Sequence, residues 1–298
     1  MWYRTMRDSY IFARLVVFLI IPLTWMGCTA SPSGPADPHA EEWISLFDGE
    51  SLEGWTPKIR GFEYGDNAYE TFRVQDGAIT VSYEGYDTFD EQFGHLFYKD
   101  PFSFYRMKVE YRFTGDQAEG GPGWAFRNSG IMIHSPPGAS MLLTQNFPIS
   151  IEVQLLGGNG TDERPNANLC TPGTHVVMDD VLVTRHCINS SSKTYHGDDW
   201  VTAEIVVLGD SLITHLLDGV DVLHYSKPQI GGGSVDSFDP DYKLDGMMLK
   251  EGYFSLQSES HPVAFRKVEL LNLKGCTDSA AVNYKSYYVA DSPSECVY

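Results

Sequence analysis

Met107-Lys108-Val109-Glu110-Tyr111-Arg112-Phe113 alternates apolar and charged side chains without a break. Successive side chains of an extended chain point to opposite faces. The segment therefore reads as a strand with Met107, Val109, Tyr111 and Phe113 on a core and Lys108, Glu110 and Arg112 in water. The same pattern recurs on either side of it. Residues 203–207, a turn at Gly209-Asp210, residues 212–217, a turn at Asp218-Gly219 and residues 220–225 read as a meander, because Asp-Gly between alternating runs favours a two-residue hairpin. Residues 253–257 and 263–270 make a final pair. No amphipathic helix is legible from Trp43 to Leu273, so the expected fold is all-β, a sandwich or a barrel. Roughly 230 residues of such strands with no linker-like break predict one domain.

The chain has 298 residues, 42% of them hydrophobic, with 40 acidic and 21 basic side chains and a net charge of -19. That composition excludes a disordered or collagen-like protein. It argues against nucleic acid or anionic lipid as a partner, since both are polyanions. A neutral small molecule is the default.

Arg4, Arg7 and Arg14 precede an apolar run from Leu15 to Met26. It is too short to span a bilayer, which takes about 20 residues, and reads as an export signal over residues 1–27. Leu23 to Cys28 resembles the lipobox of bacterial lipoproteins, in which the cysteine is lipidated, although Trp25 stands where Leu is preferred. A conventional signal cleaved near Ala30 is the alternative. The expected location is the periplasm or cell surface, with lipid on Cys28 holding the protein to the outer membrane. Residues 28–41 read as a linker. Removing residues 1–27 takes away three Arg and one Asp, a net +2, so the exported body carries -21. At the other end, Cys276 and Cys296 bracket small and polar residues. That tail, 275–298, has too little apolar content to fold unaided and calls for a Cys276–Cys296 disulfide.

Several segments, in order, resemble the 3-keto-disaccharide hydrolase family, a 3-keto-glucoside 1,2-lyase-like domain. They are Leu46-Phe47-Asp48-Gly49 with Gly54-Trp55; Asn128-Ser129-Gly130-Ile131 with His134, where many members have Arg; Glu152-Val153-Gln154; Cys170-Thr171-Pro172-Gly173-Thr174-His175 with His186-Cys187; and Leu256-Gln257 leading to Phe265-Arg266. The resemblance covers 42–274. It implies a concanavalin A-like jelly roll acting on glycosides oxidised to a ketone at carbon 3, and it implies an upstream sugar 3-oxidase or dehydrogenase. Cys170 and Cys187 fall in its cysteine-flanked segment and are expected to pair.

A ketone at carbon 3 acidifies the hydrogen at carbon 2. A base can remove it, the enolate expels the carbon-1 group, and water adds back for net hydrolysis. Glu152 and Gln154 sit two apart on a strand read at 149–156, so they share a face, with Ile151 and Val153 on the other. Glu152 is the candidate base. Retaining glycosidases use two carboxylates about 5 Å apart, and here the second position is an amide. His134, placed by alternation on the face of Met132, is a second catalytic candidate. His134, Glu152 and Gln154 are also candidate ligands for a divalent cation, calcium or a transition metal. Gln154, Gln257 and Trp124 are candidate substrate contacts. Glu259 and His261 join them at the rim of the groove, because Pro262 ends the strand. Two other functions fit the same residues: a carbohydrate-binding module without chemistry, and a conventional glycanase on unoxidised glycans.

Overall fold

The computed structural model describes residues 37–298. The export signal, Cys28 and most of the linker lie outside the described residues. Strand Phe104–Phe113 alternates buried and half-buried positions along its whole length. It pairs antiparallel with Val201–Leu208 on one side and Val263–Asn272 on the other. From this centre a large sheet extends through Leu212–Leu217, Val220–Ile230, Thr174–Met178 and Val181–Val183 in one direction, and through Ala78–Val81 and Phe72–Gln75 in the other. Ile44–Ser45 adds to Val263–Asn272.

A second sheet runs Cys187–Ile188, Asn168–Cys170, Ile151–Leu156, Asn128–Ser135, Tyr253–Ser258, Gly94–Tyr98 and Trp55–Ile59, all antiparallel. The core lies between the sheets. Met107, Val109 and Tyr111 of the first meet Ile131, Ile133, Ile151, Val153 and Leu256 of the second in one buried cluster. Among the described residues there is no α-helix, only short 3-10 turns. The architecture is the expected concanavalin A-like jelly-roll sandwich.

The two sheets differ on their outer faces. On the first, Arg112 and Arg266 clasp the ring of Trp200 from 4.6 and 4.5 Å, and Arg106 and Lys108 cover Trp43. On the second, strand Asn128–Ser135 is buried at every position on both faces. A roof is required, and the segment after that strand supplies it. Gly61 N–H donates to the Leu143 carbonyl and Arg60 Nε to the Thr144 carbonyl. Gly138 presses on Phe97 and Tyr64, so closely that a Cβ there would lie 2.6 Å from the Phe97 ring. This segment lies against Arg60, Gly61, Tyr64 and Phe97, at the Trp55–Ile59 and Gly94–Tyr98 end of the second sheet.

Disulfides join Cys170 to Cys187 and Cys276 to Cys296, as expected. The tail disulfide closes a segment in which Lys274–Gly275 pairs in parallel with Ala290–Asp291. Lys285 of the tail contacts the Glu42 carboxylate.

Candidate functional site

The roofed face of the second sheet should be apolar if it were a second core. Register shows what it carries instead. Lys58 pairs with His95, and His95 with Gln257. Leu256 pairs with Ile131, which sets Gln257 beside Gly130. Gly130 pairs with Gln154, and Gln154 with Asn168. One row across six strands is thus polar apart from a glycine. In the adjacent row Glu152 stands between Met132 and Cys170.

Gly130 has a specific task here. A Cβ at that position would lie 2.7 Å from Glu152 Oε1 and 3.1 Å from Gln257 Oε1. The missing side chain leaves room for the Glu152 carboxyl and the Gln257 amide to share the space above the strand. Asn168 Nδ2 donates to Gln154 Oε1 at 3.1 Å, which orients that amide. Gln257 Nε2 reaches Glu259 Oε1 at 3.5 Å, a long contact.

These groups are buried and poorly satisfied. Glu152 is 6% exposed and Glu259 3%, while His95 and Gln257 are fully enclosed. Both ring nitrogens of His95, Gln257 Oε1, Glu259 Oε2, Ser255 Oγ and Asn128 Oδ1 find no hydrogen-bond partner. Each such atom costs about 1–3 kcal/mol. Unpartnered atoms also occur elsewhere, on Arg112, His134 and His261 among others, but a site awaiting a polar ligand gives a reason for six of them to share this face.

Electrostatics follows from the burial. Glu152 is pushed up to about 8 because an ion is poorly solvated there. Glu259 is raised well above the carboxylate range by burial first and by the Glu152 charge second. Burial, aided by the neighbouring Lys58, holds His95 down at about 3, so its imidazole is neutral. Lys58 is itself lowered by burial, and its ammonium donates to the Phe62 carbonyl at 2.6 Å. Two carboxyls, a neutral imidazole and two amides can remove a proton, return one and grip hydroxyls.

Of the residues singled out from sequence, Glu152, Gln154, Gln257 and Glu259 are brought to this face. Glu259 corrects an expectation, because it lies buried on the floor of the site and not at its rim. A second carboxyl therefore does accompany Glu152. Trp124 is 57% exposed and stacks on Phe93 at 6.0 Å, leaving its other face free. Phe93 contacts Phe147, which in turn stands edge-on to His95 at 6.0 Å, linking Trp124 to the polar face.

His134 does not join. Its φ of 57° and a register shift break the alternation, and its Nε2 lies 3.1 Å from the carbonyl oxygen of Gly209, in the turn between Val201–Leu208 and Leu212–Leu217 of the opposite sheet. The ring is a buried structural tie, and burial holds it down at about 4. His261 also departs from its expected place beside Gln257. Ser260 takes φ 78°, and the His261 ring turns edge-on to Phe113 and Phe126. The expected cation set of His134, Glu152 and Gln154 does not fit, since its histidine points elsewhere. Among the described residues, the three-residue His/Cys/Asp/Glu group that converges is Cys170, His186 and Cys187, whose sulfurs are already bonded to each other.

Sequence reading passed over His95, Lys58 and Phe147. Gly94-His95-Leu96-Phe97 does alternate, and that signal could have placed His95 on the face of Phe97. Nothing local says that this face is roofed. An open cleft of about 250 Å³ lies elsewhere, lined by Tyr195, His196 and Trp200. The covered face is the better candidate site, because the Glu259 carboxyl and the His95 imidazole there lack partners, whereas Trp200 is occupied by its two arginines.

A family model described as a 3-keto-alpha-glucoside-1,2-lyase-like domain matches residues 42–271. No curated protein matches the chain. Among solved structures, the chain is similar to a protein from Parabacteroides distasonis provisionally named a glycosyl hydrolase, at 14% identity and TM-score 0.47 over 78% of this chain and 100% of that one. It is also similar to the carbohydrate-binding module CBM66 from Bacillus subtilis, at 11% identity and TM-score 0.41 over 74% and 96%. A third is a β-glucanase from Bacillus licheniformis, at 9% identity and TM-score 0.44 over 78% and 98%.

Proposed function

The chain belongs to the 3-keto-alpha-glucoside-1,2-lyase-like family, and from that premise we propose that it is a carbohydrate-active enzyme that cleaves 3-keto-glycosides, with Glu152 as the base. The observation that carries the reading is the buried Glu152 carboxyl, lying over Gly130 among unpartnered polar groups. A hydrogen next to a ketone is only weakly acidic, so a stronger base than an ordinary carboxylate is useful. A carboxyl raised to about 8 is such a base, and it is still partly ionised near neutral pH. The carboxylate takes the carbon-2 proton, the enolate expels the carbon-1 oxygen, and water adds to the product. Gln154 and Gln257 are suited to hold hydroxyls, and Trp124 to carry the apolar face of a sugar ring.

The same reading makes the protein exported and lipid-anchored through Cys28, acting on sugars that a 3-oxidase or dehydrogenase has prepared. An acidic body suits an uncharged substrate.

A second reading is favoured by one observation: Glu259 is a second buried carboxyl, and a pair of carboxyls is the equipment of direct glycoside hydrolysis. One experiment separates the two. The full chain is incubated with a 3-keto-disaccharide and with the unoxidised disaccharide, and monosaccharide release is followed. Release from the keto sugar alone is expected. Release from the unoxidised sugar at an equal rate would select direct hydrolysis, and saturable binding without turnover of either would select a binding module.

A further inference from the structure

The elimination leaves one proton unaccounted for. A sugar alkoxide is a poor leaving group and departs readily only if a proton reaches the glycosidic oxygen as the bond breaks. Glu152 ends the first step carrying the carbon-2 proton, so either it recycles that proton or another acid supplies one. Glu259 is the remaining carboxyl on this face. It is 3% exposed and its Oε2 has no partner in the protein. Its Oε1 faces Gln257 Nε2, while the Oε1 of that same amide shares the space over Gly130 with the Glu152 carboxyl. The two carboxyls thus flank one amide, and one buried oxygen of Glu259 is free to engage a ligand.

We infer that Glu259 is the general acid that protonates the departing glycosidic oxygen, an assignment that rests on the carbon-2 deprotonation reading above. The carbon-2 hydrogen leaves as a proton to Glu152, and its electron pair forms the carbon-2–carbon-3 double bond of an enolate. The enolate re-forms the carbon-3 carbonyl, a carbon-1–carbon-2 double bond forms, and the carbon-1–oxygen bond breaks. That oxygen keeps the bonding pair and takes the proton of Glu259. Water then adds across carbons 1 and 2, its oxygen to carbon 1 and a proton to carbon 2, and the two carboxyls return to their starting states. Paired carboxyls in unequal surroundings divide the work in this way: the one that ionises first is the base and its neighbour holds the proton. Glu259 is the neighbour, because the Glu152 charge raises it further.

The test is the dependence on leaving group. Wild type, Glu259→Gln and Glu259→Asp are compared on a 3-keto-disaccharide and on the 3-keto-glucoside of 4-nitrophenol, whose phenolate departs without help. Exchange of the carbon-2 hydrogen into D2O is followed by NMR on a 3-keto sugar lacking an aglycone. Glu259→Gln is expected to lower kcat on the disaccharide by about 10²–10³-fold, to change the nitrophenyl substrate less than about tenfold, and to leave exchange intact. Glu259→Asp, which keeps a transferable proton, is expected to recover part of the loss. Equal losses on both substrates in both variants would mean a structural role, and no loss on either would mean that Glu152 returns its own proton. Both outcomes overturn the assignment. Wild type that neither exchanges nor cleaves any keto sugar overturns the elimination reading itself, a result distinct from the other two.

Discussion

Glu152→Gln should stabilise the protein while disabling it, and the size of the gain should depend on pH. The substitution keeps the shape of the side chain and removes its charge. Burial moves the carboxyl from 4.5 to about 8. Between those values the unfolded chain has released the proton and the folded chain still holds it. Folding stability then falls by up to about 1.4 kcal/mol for each pH unit gained. A raised carboxyl leaves stability intact below its unfolded value and erodes it as pH rises towards the folded one. The cumulative difference at pH 8 is on the order of 4 kcal/mol as a ceiling, equivalent to about 10 °C in Tm for a domain of this size. Glutamine has no such proton to lose. The stability of the variant minus that of wild type should therefore be flat below pH 4.5, widen steadily to about pH 8, and level off. Urea unfolding of both proteins at pH 5 through 9, with disulfides intact, measures it. The rate of keto-glycoside cleavage by wild type should rise over the upper part of the same window, because the base must be ionised, and the variant should lose about 10²–10⁴-fold. A stability gap constant from pH 5 to 8 would show that Glu152 titrates as a solvated carboxylate and would refute the argument from burial.

Replacing His95 by Leu removes an enclosed imidazole with two unpartnered nitrogens and should raise stability by about 1–3 kcal/mol in urea unfolding; a loss of that size would mean the nitrogens are already satisfied. Gly130→Ala places a methyl 2.7 Å from Glu152 Oε1 and should cut kcat by more than about tenfold at a stability cost of about 1–3 kcal/mol, as for other overpacked sites; unchanged kcat would show that the carboxyl does not need to lie there. Trp124→Ala removes an exposed ring stacked on Phe93 and should weaken sugar binding, measured calorimetrically, about tenfold while leaving Tm almost unchanged.

Much of the fold was legible because two-residue periodicity is a local property. Residues 107–113 alternate in sequence and alternate in burial, and the meander after residue 200 follows its Asp-Gly turn. The Glu152 and Gln154 pair was legible for the same reason. Legibility failed wherever one backbone angle broke the alternation. His134 and Ser260 both adopt left-handed φ, so the positions counted through them, His134 itself and His261, came out in the wrong place. Glu259 was misjudged for another reason. A proline three residues on marks the end of a strand, but burial of the residues before it depends on the roof.

The sequence by itself determined an all-β fold, the export signal as an expectation, the pairing of Cys276 with Cys296 from composition, and a face carrying Glu152 and Gln154; the family resemblance narrowed the fold to a sandwich. Tertiary structure alone decided that this face is enclosed. Lys58, His95, Gln257, Gly130 and Glu152 come from five strands spread over about a hundred residues on either side, and no local pattern links them. Their proximity is a matter of strand order and register, and the raised carboxyl of Glu152 is a consequence of what covers it. A carboxylate on a strand is a common surface residue. Buried, beside a second carboxyl and over a glycine, it has the raised proton affinity that the proposed base requires.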